Sequence, residues 1–316
     1  MKANKLFKEK LPVKQFVLTV LIFFCVTIQI NAHPVNASLI DTLVTSTQNE
    51  AILFIDNIKE LGPSKFWPNI KPALFLQNLK TNIHQPISIY PGNSTNFCGY
   101  GALTYLFLLD DPLGYAKLLI QLYKEGKASF GEIKFNPSPA VKKAAGSLRY
   151  KGILDIRPAE QMWYLSLAGH FKGYLNFFNR KYNPDDENKF WASVNYAKFN
   201  RMVKKLLRYY VKAKGADLFR PHVSGSVYQY ISERMNTGTV VLFINNRIVH
   251  KKNHTRIKLG VPTHFIVAEK ISKENDTITF VYWDYGGKTL LQLTPAFLKR
   301  IVFGITYFTK KGNHAD

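Results

Sequence analysis

The pattern of hydrophobic and polar positions predicts helices in the first two thirds of the chain. Residues 98–109 are apolar on every side, which is typical of a buried central helix. Residues 112–125 begin with a proline, which the first turn of a helix tolerates, and they predict the next helix. Isoleucines at helical spacing predict an earlier helix that ends at Gly62, whereas residues 82–92 are expected to be extended.

The rest of the chain changes from a helical pattern to a strand pattern. Residues 158–235 are expected to be mostly helical, with one long basic amphipathic helix from 188 to 212. After Gly238 come short β-branched runs separated by turn residues, which predict an antiparallel sheet. Helices first and strands second predict an α+β fold. The predicted strands are 239–244, 264–268, 277–283, 288–293 and 303–308, and a short helix is predicted at 295–301.

The composition excludes several classes of protein and suggests one class of partner. Hydrophobic residues make up 46% of the 316 residues, too many for a largely disordered chain, and two cysteines are too few for a disulfide scaffold. The formal net charge is +22, with the basic residues scattered along the chain and no nucleic-acid-binding motif among them. We therefore expect no nucleic acid partner, and attraction to anionic envelope polymers, lipid head groups or acidic substrates.

The first 32 residues have the features of a signal peptide. Five lysines precede an apolar run at 16–30, and the small residue Ala32 follows at the expected cleavage position. The run is short for a membrane span and has Gln29 near its end, so we favour cleavage over an uncleaved anchor. The protein is then secreted or periplasmic, and it contacts a membrane only if this segment is retained. Cleavage would also remove Cys25 and leave Cys98 as the single cysteine, unable to form an internal disulfide.

Three residues at the ends of predicted elements are candidates for catalysis. Cys98 opens the buried helix, and a helix N-terminus favours the thiolate, which is the nucleophilic form. His264 begins one predicted strand and Asp284 follows the end of the next. In an antiparallel hairpin the start of one strand lies beside the end of its successor, so His264 and Asp284 should be neighbours. A carboxylate in that position orients an imidazole and stabilises its charged form.

Three segments together resemble the papain-like cysteine peptidases, and most closely the branch that includes the bacteriocin-leader peptidases. The segments are NFCGYGAL at 96–103, THFIV at 263–267 and YWDYG at 282–286. The resemblance implies a papain-like α+β fold, in which a helical part carrying Cys98 packs on a C-terminal antiparallel sheet carrying His264 and Asp284. It also implies a Cys-His-Asp triad that needs no metal and no cofactor.

The oxyanion site departs from the pattern of that family. Papain-like enzymes place a glutamine a few residues before the cysteine, whereas the nearest one here is Gln85. Asn93 or Asn96 is therefore the candidate amide donor, and the backbone N–H of Cys98 is the candidate second donor. The match to the NlpC-type peptidoglycan amidases is poorer, because Phe97 and Gly99 stand where those enzymes usually have Asp and Ser.

The resemblance implies a papain-like catalytic domain (93–312), which leaves a helical N-terminal lobe (33–92) between it and the signal peptide (1–32). The lobe could be a pro-segment or a fixed part of the cleft, and we favour the fixed part. The basic loop 251–262, directly before His264, is expected to form the opposite wall.

The resulting hypothesis is an exported cysteine hydrolase that cleaves an amide bond, most simply in a peptide. Three alternatives remain open at this stage: a peptidoglycan amidase, a transglutaminase-like acyltransferase, and a non-catalytic basic module that binds the envelope and keeps a papain-like shell.

Overall fold

The fold is described from a computed structural model, which covers residues 46–149, 156–171, 187–188, 192–246 and 261–310. The proposed signal peptide and nearly all of the basic loop 251–262 lie outside these residues. All the described residues belong to one unit, Leu43–Asp316.

The helical part contains the central helix that the apolar run predicts. Helix α3 (Cys98–Asp110) is buried along almost its whole length, as expected of a helix that is apolar on every side. Helix α4 (Pro112–Glu125) follows at once, with Asp111 accepting the Gly114 N–H as its N-cap and Gly126 ending it in the left-handed conformation. The other described helical elements are α1 (Gln48–Asp56), α2 (Pro72–His84), a 3₁₀ turn (Pro86–Ser88), α5 (Pro139–Ala144), α6 (Pro158–Phe171), α7 (Tyr196–Met202) with a following π turn (Val203–Leu207), α8 (Val227–Met235) and α9 (Pro295–Ile301).

The strands form a six-stranded antiparallel sheet and a separate small hairpin. The order across the large sheet is β3-β8-β4-β5-β6-β7. Together with the helices this confirms the predicted α+β class. The strands are β1 (Ala128–Phe130) and β2 (Ile133–Phe135) in the hairpin, and β3 (Tyr210–Gly215), β4 (Thr239–Ile244), β5 (His264–Glu274), β6 (Thr277–Asp284), β7 (Gly287–Leu293) and β8 (Val302–Thr309) in the sheet.

Both faces of the large sheet are covered, so the strands alternate between two apolar layers. Phe265 and Val267 of β5 belong to the main core, which they share with α3 and the other large helices. Ile266 and Ala268 point the other way and pack with residues of α8 and α9. Alternate side chains of β5 therefore face different layers. The main helical layer covers one face of the sheet, and the short helices α8 and α9 cover the other.

Several predicted boundaries are wrong. Helix α1 ends at Asp56 and not near Gly62, and its end tightens into an i→i−3 bond from the Ile58 N–H to the carbonyl oxygen of Ile55. Residues 82–92 are not simply extended, since they include the end of α2 and the 3₁₀ turn.

The long basic helix predicted at 188–212 is also wrong. Residues 192–195 precede α7, and Arg208 ends the helical segment in the left-handed conformation, with φ of 55°. The chain then pairs with β8 as strand β3, so long-range hydrogen bonding prevails over local helix propensity. The small hairpin and α5 were not predicted.

The described part of the N-terminal lobe packs on the helices that follow it. Helix α1 contacts α4, and α2 contacts α6. Buried side chains of these helices, among them Ile55 and Phe75, belong to the same core as α3. A segment built into the core in this way is what we expect of a fixed part of the fold, and the domain boundary at residue 92 stays a prediction.

Candidate active site

Cys98 is the first residue of α3, at an end that no side chain caps. The side chain of the preceding residue, Phe97, has no acceptor for the first-turn N–H groups, whereas the Asn195 and Ser226 side chains cap α7 and α8 in the usual way. The first N–H groups of a helix have no intrahelical partner, so this end presents donors and a partial positive charge beside the thiol. The Cys98 side chain itself is half-buried.

Two glycines let the start of α3 pack closely against its neighbours. A Cβ atom on Gly99 would lie 2.9 Å from the Val194 side chain. A Cβ atom on Gly101 would lie 3.0 Å from Pro91 and 3.3 Å from Trp283. All three distances are shorter than ordinary contacts. The absence of a side chain at Gly99 and Gly101 therefore lets the turn that carries Cys98 fit between its neighbours.

His264 and Asp284 form a buried pair at one end of the sheet. Nε2 of His264 lies 2.5 Å from Oδ1 of Asp284, and the two side chains are 1% and 5% exposed. His264 is the first residue of β5 and Asp284 the last of β6. The pair thus stands where the antiparallel connection of these strands was expected to bring it.

The Cys98 thiol lies at the same end of β5. Its Sγ atom is 3.8 Å from the carbonyl oxygen of Thr263, the residue before His264. With Nε2 bonded to Asp284, the ring atom left for the thiol is Nδ1, which is buried and forms no hydrogen bond of ordinary geometry with the described residues. The structure therefore brings together Cys98, His264 and Asp284.

The surroundings of His264 favour its charged form. Burial by itself lowers the pKa of His264, but the charge and hydrogen bond of Asp284, with a further contribution from Cys98, raise it to about 10. At neutral pH the ring is then an imidazolium that donates from Nε2 to Asp284 and turns a second N–H toward the thiol side.

Tyr285 covers the His264 ring from the turn between β6 and β7. The two rings are stacked, with centroids 4.4 Å apart and an angle of 14° between planes. Asp284 pairs with Gly287, so Tyr285 and Gly286 form a two-residue turn, and both have positive φ, 43° and 84°. Such turns favour Asn, Asp or Gly, so a tyrosine there carries backbone strain. Burial and the charges of Cys98 and Asp284 raise the pKa of Tyr285, which keeps its hydroxyl neutral.

A buried lysine lies on a further side of the Cys98 turn. Nζ of Lys198 donates a hydrogen bond to the hydroxyl of Tyr100 at 2.9 Å. Burial, and secondarily the charge of Arg201, lowers the pKa of Lys198 to about 7. Burial and the charge of Cys98 raise the pKa of Tyr100.

The two candidate oxyanion asparagines lie in the loop before Cys98. The side chain of Asn93 is exposed and that of Asn96 half-buried. The backbone N–H of Asn96 donates to the carbonyl oxygen of Glu187 at 2.8 Å, and Thr95 holds the same loop by donating to Pro91 O at 2.6 Å. Their role as amide donors stays a prediction.

Within the described ranges, no group of three His, Cys, Asp or Glu side chains could hold a metal ion.

The sequence analysis can also be compared with the structure at other histidines and at a tryptophan. His222 is exposed and Trp283 is fully buried. His170 contacts the rings of Phe135 and Phe171. His250 and His254 lie outside the described residues.

Comparison with known proteins gives no family for this chain. No family model, no curated protein and no solved structure matches it. None of the helices in the described ranges is long and apolar enough to cross a membrane.

Sequence reasoning missed two parts of this site. Tyr285 could have been found, because an aromatic residue is unusual in the first central position of a tight turn that ends in Gly286-Gly287. Lys198 carries no such signal: in the sequence it is one of many basic residues between 188 and 212, and only the fold buries it.

Proposed function

We propose that the protein is an exported cysteine hydrolase that cleaves an amide bond, with a peptide as the simplest substrate, on a papain-like arrangement of helix and sheet. One observation carries the proposal: the buried His264 ring bonds Asp284 through one nitrogen and faces the Cys98 side with the other. Export is supported by the lysine-rich and apolar start of the chain.

In the first half of the reaction, the Cys98 thiolate attacks the carbonyl carbon and forms a C–S bond, and the carbonyl electron pair moves to oxygen. His264 then gives its proton to the leaving amine as the C–N bond breaks. The product is a thioester on Cys98, and a free amine leaves. Asp284 keeps the ring in orientation throughout and stays ionised.

In the second half, a water molecule attacks the thioester while His264 accepts its proton. The C–S bond breaks, the carboxylic acid product leaves and the thiolate–imidazolium pair returns. The uncapped N–H groups at the start of α3 support stabilisation of the oxyanion in both halves, with Asn93 or Asn96 as the side-chain donor.

The test is cleavage of a quenched-fluorescence peptide library by the purified protein. We expect wild-type cleavage and none by Cys98→Ala or His264→Ala, while His222→Ala, which changes an exposed histidine, stays fully active. Adding a fluorescent primary amine separates hydrolysis from acyl transfer, since a transferase would attach the amine to the acyl product.

Circular dichroism and thermal unfolding must first show that each variant is folded. Cleavage by folded Cys98→Ala at the wild-type rate would overturn the proposal. If the wild type cleaves no peptide in the library but binds a peptide or an envelope polymer specifically, a binding module is favoured over an enzyme.

A further inference from the structure

An exposed apolar pair stands at the β3 edge of the sheet. Leu218 and Phe219 are 70% and 74% exposed, more than any other large apolar side chain among the described residues. They lie in the segment between β3 and α8. Isolated exposed apolar side chains are ordinary, but an adjacent leucine and phenylalanine, both more than two thirds exposed, form a continuous apolar surface.

The backbone around this pair is held in place. The N–H of Ala216 donates to the carbonyl oxygens of Phe219 at 3.0 Å and Phe303 at 3.2 Å. Oδ1 of Asp217 accepts the N–H of Tyr196 at 3.0 Å. The loop is therefore tied to the sheet on one side of the pair, and its fixed shape directs the two apolar side chains outward.

Basic residues lie on both sides of the pair along the chain. Arg220 follows the pair, donates twice to the carbonyl oxygen of Arg300 at 3.2 Å and lies 4.8 Å from the centre of the Phe303 ring. Lys212 and Lys214 are exposed on the neighbouring edge strand β3. The one carboxylate between positions 201 and 226, Asp217, already accepts the Tyr196 N–H.

We propose that this surface docks the protein on a bilayer that contains anionic lipid, with Leu218 and Phe219 inserted at the boundary between head groups and acyl chains. The surrounding cations would contact the lipid phosphates. A soluble anionic polymer would pair with the cations but leave both apolar side chains in water. An apolar pair with basic residues beside it therefore favours a membrane surface. The inference is independent of the chemistry proposed at Cys98.

The test is co-sedimentation of the purified protein with phosphatidylcholine vesicles, with and without phosphatidylglycerol. We expect the wild type to bind only when phosphatidylglycerol is present. In Leu218→Ser/Phe219→Ser the affinity for these vesicles should fall about tenfold or more, because the two apolar side chains that leave water on binding are gone. Lys212→Gln/Lys214→Gln should weaken binding and its salt dependence, since raising salt from about 0.1 M to 1 M shortens the screening length from roughly 10 to 3 Å. The matched control, Leu53→Ser/Leu290→Ser, changes two other exposed leucines and should bind as the wild type does.

Three outcomes would overturn the inference. The first is no binding of the wild type to either vesicle. The second is equal loss of binding in the control pair and in Leu218→Ser/Phe219→Ser. The third is binding to soluble polyglutamate as tight as to vesicles and unchanged by Leu218→Ser/Phe219→Ser, which would assign the surface to an anionic polymer. Because cleavage of soluble peptides is measured separately, failure here leaves the proposed hydrolase unaffected.

Discussion

His264 and Asp284 are diagonal neighbours across two strands that are joined by a short turn. Val267 pairs with Trp283 in the register of β5 and β6, so continuing the ladder by one residue sets Asp284 opposite Ile266, two residues from His264. Diagonal positions of this kind are within reach of a long or aromatic side chain, and at this end of the strand the His264 ring also interacts with Cys98. The 2.5 Å contact between their side chains is thus a consequence of strand register.

Replacing the carboxylate of this pair should impair catalysis without unfolding the protein. Asp284→Asn keeps a hydrogen-bonding group but removes the charge that raises the pKa of His264, so the pKa should fall well below about 10. We expect kcat/KM to fall about 10²- to 10⁴-fold, and the alkaline limb of the pH profile to move to lower pH. Peptide cleavage across pH measures both effects, and an unchanged alkaline limb would contradict this view of Asp284.

The same pair should make stability depend on pH. The pKa of His264 is about 10 in the folded protein against 6.5 for an ordinary histidine. A raised pKa stabilises the folded state fully below the unfolded value, and this contribution is lost as pH rises through the folded value. Urea unfolding from pH 6 to 10 should therefore show a loss of stability in the wild type that is smaller in Asp284→Asn. Parallel curves for the two proteins would contradict the prediction.

Tyr285 should act by holding the His264 ring. Tyr285→Asn keeps a residue that accepts the left-handed conformation but removes the stacked ring, so we expect kcat/KM to fall about 2- to 10-fold, the equivalent of one aromatic contact. Tyr285→Phe keeps the ring and should retain wild-type kcat/KM. If Tyr285→Phe loses as much activity as Tyr285→Asn, the hydroxyl and not the stacking is what matters.

The close packing of the Cys98 turn can be tested with one methyl group. Gly99→Ala places a Cβ atom 2.9 Å from Val194 and should destabilise the protein by about 1–3 kcal/mol through overpacking. Gly169→Ala is the matched control: it lies in α6 with nothing within 4 Å, and it should stabilise the protein by up to about 1 kcal/mol through helix propensity. Thermal unfolding of the two variants checks the contrast, and equal effects would contradict it.

The helix and strands that carry the three candidate residues could be predicted because their patterns are strong. An uninterrupted apolar run between a polar loop and Asp110 predicts a buried helix, and short β-branched runs between turn residues predict a meander. Once those elements are assigned, antiparallel geometry alone brings His264 to Asp284.

Other parts of the structure depend on contacts that no local pattern records. Strand β3 reads as part of a basic helix, and only pairing with β8 makes it a strand. Lys198 becomes a buried residue only because α7 packs against α3. The left-handed backbone at Tyr285 is strained, and a tertiary contact, the stacking on His264, accompanies it.

The most direct test of the account is the rate at which iodoacetamide alkylates Cys98 at neutral pH, followed by mass spectrometry under native conditions. Because an imidazolium beside the sulfur favours the thiolate, we expect native wild-type Cys98 to react about tenfold or more faster than in His264→Ala or in the urea-unfolded chain. A native rate that is no faster than in the unfolded chain, or one that His264→Ala leaves unchanged, would contradict the assignment of Cys98 as the nucleophile.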